Sequence, residues 1–205
     1  MAGPTHSFEA WVVGKKPPTD SFQALTLYSV EFGATLALHR LSRKTGGAAT
    51  LDLFDQAGIL AEDSGGAGGA WFIKEARVSA RLSAIGKSYE SLQFACRLAG
   101  LAARNPVSEE SRSAVYQLLT QAFTAFATAQ RPDVVYFKAL YRFCRDEGYP
   151  LKQAWLPTLT ASDQGIVVAL LNLPVAEQTE TERTVDRLQR RLDEFLRGHT
   201  EILLE

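Results

Sequence analysis

The sequence predicts an α+β fold, with a small five-stranded β-barrel at the N-terminus and an all-α domain after it. Residues 8–79 contain short apolar runs separated by turn residues, a pattern typical of strands joined by short connections. From Arg81 onward the apolar residues recur at helical spacing. A content of 46% hydrophobic and 22% charged residues in a chain of 205 is that of a globular protein. We therefore expect a barrel domain over 1–80 and a helical domain over 81–205.

Five segments of the barrel domain have the composition of strands: Phe8–Val13, Phe22–Val30, Thr35–Leu41, Leu51–Leu60 and Trp71–Ser79. The segment Gly14–Pro18 is expected to end the first strand. Gly33 suits the turn between the second and third strands, because glycine takes a positive φ without a side-chain clash. In the fifth strand we expect one face to carry Phe72, Ala76 and Val78.

A basic segment, His39–Lys44, leaves the third strand, and no acidic residue occurs between Glu31 and Asp52. The local field should therefore be positive, which suits phosphate groups. The alternative is an ordinary hairpin with a solvated basic loop.

Five helices are expected in the second domain, and their ends are marked by caps, prolines and a glycine. The starts are predicted at Ser88, Ser108, Pro132, Ser162-Asp163 and the capping-box pattern Thr179–Glu182. The first helix should end at Asn105-Pro106, and Gly148 should end the third. On the fifth helix a basic stripe diluted by acidic residues is typical of a solvent-exposed face; it consists of Arg183, Arg187, Arg190 and Arg197.

The sequence contains no motif that indicates catalysis. The histidines His6, His39 and His199 lie far apart, and two cysteines cannot supply the usual four-ligand zinc site. The glycine-rich segment Ser64–Gly69 lacks the Lys-Ser/Thr of a phosphate loop and is predicted to be a hairpin tip. A binding protein is therefore favoured over an enzyme. The N-terminus does not read as a signal peptide and no apolar run could span a membrane, so we expect a cytoplasmic protein.

Several short segments, in this order, resemble the bacterial DNA repair and recombination mediator protein RecO over nearly the whole chain. Phe8–Val13 resembles that family's first strand, and Asp20–Gly33 resembles its strand leading to a glycine turn. Leu36–Lys44 lies where the family has a basic run, and Leu51–Phe54 is similar to its Leu-Gln-Pro-Phe. Further matches are Trp71–Val78, with its fifth strand, and Gly148–Leu151, with the Gly-Tyr signature of its helical domain.

The resemblance implies an oligonucleotide-binding (OB) barrel followed by a helical domain. It implies a protein that binds single- and double-stranded DNA, anneals strands and helps to load the recombinase without a nucleotide cofactor. In such a protein the nucleic-acid-binding residues would be Lys15, Lys16, Arg40, Arg43 and Lys44, with Trp11 or Phe32 as stacking platforms. The implied partners are RecR and the acidic C-terminal tail of single-stranded-DNA-binding protein. The helix that ends near Gly148 could accept that tail through Lys138, Tyr141, Arg142 and Arg145, although these residues are also simply explained as solvated charges around an inward tyrosine.

Two departures from the family favour an alternative function. The family's four-cysteine zinc module has no counterpart, since Trp155–Thr160 stands at that point without a cysteine, and zinc is not expected. Residues 1–80 contain seven Lys and Arg against eight Asp and Glu, which is poor for a DNA-binding barrel. The alternative is a RecO-like adaptor that binds proteins and has lost DNA binding.

Overall fold

A computed structural model describes residues 3–41, 50–64, 69–128 and 130–204. Its contacts divide the chain into two compact units. The first unit comprises Met1–Ser83 together with Ala102–Tyr116, and the second comprises Ala84–Leu101 together with Gln117–Glu205. Each unit is described below by itself. The domain bounds of 1–80 and 81–205 stay a prediction.

The first unit is built on a closed five-stranded β-barrel. Its strands are β1 (Thr5–Lys15), β2 (Phe22–Ser29), β3 (Gly33–Arg40), β4 (Asp55–Glu62) and β5 (Trp71–Arg81). The strand order is β1-β2-β3-β5-β4, and β1 closes the barrel by pairing with β4. The β3–β5 pair is parallel and the others are antiparallel. A closed five-stranded barrel followed by helices is the α+β fold that the sequence predicts, so the predicted fold class is confirmed.

The barrel interior is filled by alternate residues of every strand. Its apolar core includes Phe8, Val12, Leu25, Ile59 and Ile73. Burying a side chain of this size stabilises a fold by roughly 1.5–3 kcal/mol. Because side chains alternate along a strand and one face of β2 and β3 is buried, the period of two determines which residues face the core and which face outward.

Three expectations for the strands are wrong, each because of a local irregularity. β1 continues through Gly14 and Lys15, because a β-bulge after Val12 accommodates the glycine within the ladder. β4 begins at Asp55 rather than Leu51. Residues before it form a turn in which Phe54 has a φ of 64° and the Asp52 N–H donates to Asp55 Oδ2 at 2.9 Å.

The third error concerns the faces of β5. Ile73 pairs with Ala61 and Glu75 pairs with Leu60, so Lys74 is an extra residue in the ladder. This bulge reverses the alternation, and Phe72 points outward whereas Ala76 and Val78 pack against the barrel core. The expected shared face of Phe72, Ala76 and Val78 is therefore split by one inserted residue.

The helices are α1 (Tyr89–Arg104), α2 (Glu109–Thr128), α3 (Pro132–Asp146), α4 (Ala161–Asn172) and α5 (Glu182–His199). Pro132 stands at the start of α3, and Gly148, with a φ of 85°, follows its end as predicted. The α4 cap is Thr160, whose side chain accepts from the Asp163 N–H, rather than Ser162-Asp163. Thr181 caps α5 in the same way.

Helix α3 is the centre of the second unit. Ten of its residues are buried, from Pro132 to Cys144, so it is apolar on most of its circumference. Burial raises the pKa of the Cys144 thiol to about 12, which leaves it inert. In the described part of the chain no helix is long and apolar enough to cross a membrane.

Candidate nucleic-acid interface and helical groove

The five predicted phosphate contacts differ in their ion pairing and exposure. Lys15 Nζ lies 3.0 Å from Asp52 Oδ1 and forms an ion pair with it. Burial would raise the pKa of Asp52, but the hydrogen bond from Lys15 and its charge lower it overall. Lys16 and Arg40 are exposed and form no ion pair within the described ranges. Arg43 and Lys44 lie outside the described residues.

The two predicted stacking platforms are not both accessible. Trp11 is only 1% exposed and offers no face for a base, so that prediction is wrong. Phe32 is half-buried in an aromatic cluster with His6, Phe8 and Trp71, and its ring centroid lies 4.6 Å from that of Trp71. The Phe32 ring therefore packs mainly against other rings.

The outer surface of β2, β3 and β5 carries an apolar strip that the sequence reasoning missed. Leu38 pairs with Ala24 on one side and with Phe72 on the other, so these three outward side chains form a row across the strands. The rings of Phe22 and Phe72 lie 6.1 Å apart in an edge-to-face arrangement. We call this surface the barrel strip; it consists of Phe22, Leu36, Leu38 and Phe72.

Members of the barrel strip are unusually exposed for apolar residues on a sheet. Leu36 is 39% exposed and Phe72 is 38% exposed. The signal for this surface is present in β3, where Leu36 and Leu38 alternate with Ala37 and His39. Because Ala37 belongs to the barrel core, the two leucines must lie on the other face.

Cations lie at the margins of the barrel strip. Arg40 is opposite Phe22 in the β2–β3 ladder. The Lys16 N–H donates to the carbonyl of Ala24 at 3.0 Å, which places Lys16 beside the row of Leu38 and Phe72. Exposed rings flanked by cations are what a single-stranded nucleic acid requires, because bases stack on the rings and phosphates neutralise the cations.

Two other cations of the barrel are paired with acidic residues of the same barrel. Arg81 donates two hydrogen bonds to the buried carboxylate of Asp55, at 2.9 and 2.7 Å. Lys74 lies 2.5 Å from Glu62. Among the exposed barrel cations that form no ion pair in the described residues, Lys16 and Arg40 lie beside the strip, and Arg77 lies farther along β5.

The second unit contains a groove of about 860 Å³ between α2, α3, α4 and residues 149–156. All four predicted partner-binding residues line this helical groove: Lys138, Tyr141, Arg142 and Arg145. Lys152 lines it as well and was not predicted. Its lining includes apolar side chains from each helix and, among the described residues, contains no Asp or Glu.

Three of the four predicted residues make different kinds of contact in the groove. Tyr141 is mostly buried, with its ring centroid 6.3 Å from that of Trp155, and burial raises its pKa. Lys138 Nζ donates to the carbonyl oxygen of Leu173 at 2.6 Å, and burial lowers its pKa. Arg142 Nη1 donates to Gln121 Oε1 at 2.7 Å. The groove is thus an apolar depression with a cationic rim.

The arginines of α5 are explained mainly by helix packing. Arg187 donates two hydrogen bonds to Asp163, at 2.9 and 2.7 Å, and so ties α5 to the first turn of α4. Arg190 pairs with Asp186 at 2.6 Å. The expectation of a purely solvent-exposed stripe therefore misses the structural role of Arg187.

No protein-family model matches the chain, and no curated protein matches it. The described residues contain no group of three or more His, Cys, Asp or Glu placed to hold a metal ion. The barrel strip and the helical groove are thus the surfaces from which a function can be argued.

Proposed function

We propose that the protein is a RecO-like, non-enzymatic DNA-binding protein of recombinational repair. The observation that carries this proposal is the barrel strip, in which exposed Phe72 and half-buried Phe22 lie beside Lys16 and Arg40, two cations with no ion pair in the described residues. The β2–β3 face of an OB-type barrel is where such folds bind oligonucleotides. The resemblance of the sequence to RecO supports the same reading.

In this proposal a single DNA strand crosses the outer faces of β2, β3 and β5. Bases stack on Phe22 and Phe72, and each stacked base contributes about 1–3 kcal/mol. Arg40 and Lys16 neutralise phosphates at the margins. Double-stranded DNA would use these cations alone, because its bases are already stacked, and is therefore bound less tightly. Neutralising the phosphates of two strands on one surface would favour their annealing.

The helical groove supports the partner side of the proposal. A cationic rim around an apolar depression complements the acidic C-terminal tail of single-stranded-DNA-binding protein, with an apolar end in the depression and carboxylates at Lys138, Arg142 and Arg145. RecR is the further partner, and loading of the recombinase onto DNA is the joint activity. That role would place the protein in the bacterial cytoplasm, associated with the nucleoid.

The test is a fluorescence anisotropy titration with a labelled thymidine oligonucleotide. Phe72→Ala should weaken binding about tenfold, since it removes one stacking platform. The matched control is Tyr89→Ala, which removes an aromatic side chain that is 78% exposed on α1. Equal affinities for wild type and both variants would refute the assignment of the barrel strip.

The adaptor that has lost DNA binding remains the second candidate function. The observation that favours it is the internal pairing of Lys15, Lys74 and Arg81 with acidic residues of the barrel. A pull-down separates the two. Retention of single-stranded-DNA-binding protein without retention of DNA at low salt selects the adaptor, and retention of both selects the DNA-binding protein.

A further inference from the structure

The rim of the helical groove contains an acidic side chain that competes for the same cations as a ligand would. Asp146, the last residue of α3, does not line the groove itself. Its Oδ1 accepts from Arg145 Nε at 2.9 Å and from Arg145 Nη2 at 2.7 Å. Its Oδ2 lies 3.4 Å from Arg142 Nε. One carboxylate thus engages both arginines of the rim.

The two rim lysines are in a different state. Lys138 donates to a neutral carbonyl oxygen, so its charge is not compensated by that contact. Lys152 is exposed and has no ion pair within the part of the chain that the structure describes. An acidic ligand therefore meets two uncompensated ammonium groups and two guanidinium groups that already share a carboxylate.

Arginine pairs with carboxylates in a fixed geometry, and each guanidinium presents a limited set of donors in one plane. A ligand carboxylate that approaches Arg145 has to displace Asp146 from Nε and Nη2 or accept at the remaining donors. In either case the repulsion between the two carboxylates lowers the affinity.

We propose that Asp146 is an internal competitor that sets the affinity of the helical groove for acidic peptide tails. This inference rests on the proposed peptide-binding role of the groove. Asp146 holds Arg142 and Arg145 in position when the groove is empty, and it makes binding depend on several ligand carboxylates rather than one. A tail with one carboxylate is discriminated against, because a single charge does not compensate for the displaced pair.

The test uses Asp146→Asn, which keeps an acceptor oxygen for Arg145 and removes the charge. The probe is a labelled nine-residue peptide with four acidic residues and a C-terminal phenylalanine, titrated by anisotropy at low and high salt. The variant should bind about two- to fivefold more tightly than wild type at low salt, the range expected for an exposed ion pair, and the difference should shrink at high salt.

The matched control is Asp186→Asn. It removes an exposed pair of the same i,i+4 type, with Arg190 on α5, and changes the net charge equally, but neither residue lines the groove. Its affinity should equal that of wild type. Equal affinities for wild type and Asp146→Asn, or an equal gain in both variants, would overturn the inference while leaving the groove as a peptide site.

A mutant cycle between Asp146 and the two arginines tests the mechanism directly. In a background of Arg142→Gln with Arg145→Gln, which should bind more weakly, Asp146→Asn should no longer change the affinity. A gain that persists in this background would show that Asp146 does not act through the two arginines. Absence of peptide binding in wild type and in Asp146→Asn alike would overturn both this inference and the proposed partner role.

Discussion

The salt dependence of DNA binding offers a quantitative test of the barrel strip. Lys16→Ala combined with Arg40→Ala removes the two cations that flank the strip without an ion pair in the described barrel. Neither side chain is part of the barrel core, so the double variant should fold normally. The barrel strip and its aromatic rings are left in place.

The size of the effect follows from the number of phosphates neutralised. Each phosphate contact on a single strand contributes about 0.7 to the slope of log affinity against log salt, so two contacts contribute about 1.4. Between about 50 and 200 mM salt, the ratio of wild-type to variant affinity should therefore shrink by about sevenfold. Because bases can still stack on Phe22 and Phe72, the variant should still bind DNA, but more weakly and with less dependence on salt.

The assay is an anisotropy titration of a thymidine oligonucleotide at several salt concentrations. The control combines Lys87→Ala with Arg183→Ala, which changes the net charge equally but removes exposed cations of the second unit. If the control lowers the slope as much as the double variant does, general charge and not the barrel strip governs binding. An unchanged slope in the double variant would equally refute the reasoning.

Three further predictions concern stability. Gly33→Ala should lower the free energy of unfolding by about 1 kcal/mol, because Gly33 has a φ of 65°. The control Gly58→Ala should not lower it, since a Cβ at that position meets open space. Urea denaturation measures both variants. Trp11→Ala should lower the free energy of unfolding by about 3–5 kcal/mol, because the side chain is buried. Since Trp11 offers no face to a base, DNA binding should be lost only to the extent that circular dichroism shows the variant to be unfolded. Asp52 and Glu62 have pKa values lowered from 3.8 and 4.5, so they stabilise the native state at neutral pH and this stabilisation is lost as the pH falls through their lowered values. Asp52→Asn should reduce this loss in urea midpoints measured from pH 6 to pH 2, and an unchanged acid dependence would contradict the assignment.

The barrel and the helices could be predicted because their signals are local. The turn at Gly33 and the start of α3 at Pro132 each depend on one residue and its immediate neighbours. The start of β4 was misplaced because Asp52 and Asp55 form a turn through side-chain hydrogen bonds, which apolar residues on either side conceal.

The candidate surfaces were harder to predict because burial is a property of the folded chain. Trp11 and Phe72 are both aromatic residues on strands, and nothing local to either indicates that the first is covered and the second exposed. The same holds for Arg187, whose partner Asp163 lies 24 residues earlier in the chain. By contrast, the spacing of Lys138, Arg142 and Arg145 on one helix was enough to bring them to one groove.

The bulge at Lys74 makes the barrel strip depend on strand register as well as on residue type. If Lys74 entered the ladder as a regular residue while the later half of β5 stayed in place, the earlier half would shift by one position, turning Phe72 toward the core and Ile73 toward solvent. Deleting Lys74 would instead remove the bulge and keep Phe72 outward, so the exposed ring depends on how the strand accommodates this one residue. Homologous strands should accordingly be aligned with a gap permitted at Lys74, since an ungapped match would assign the exposed aromatic position to the wrong face.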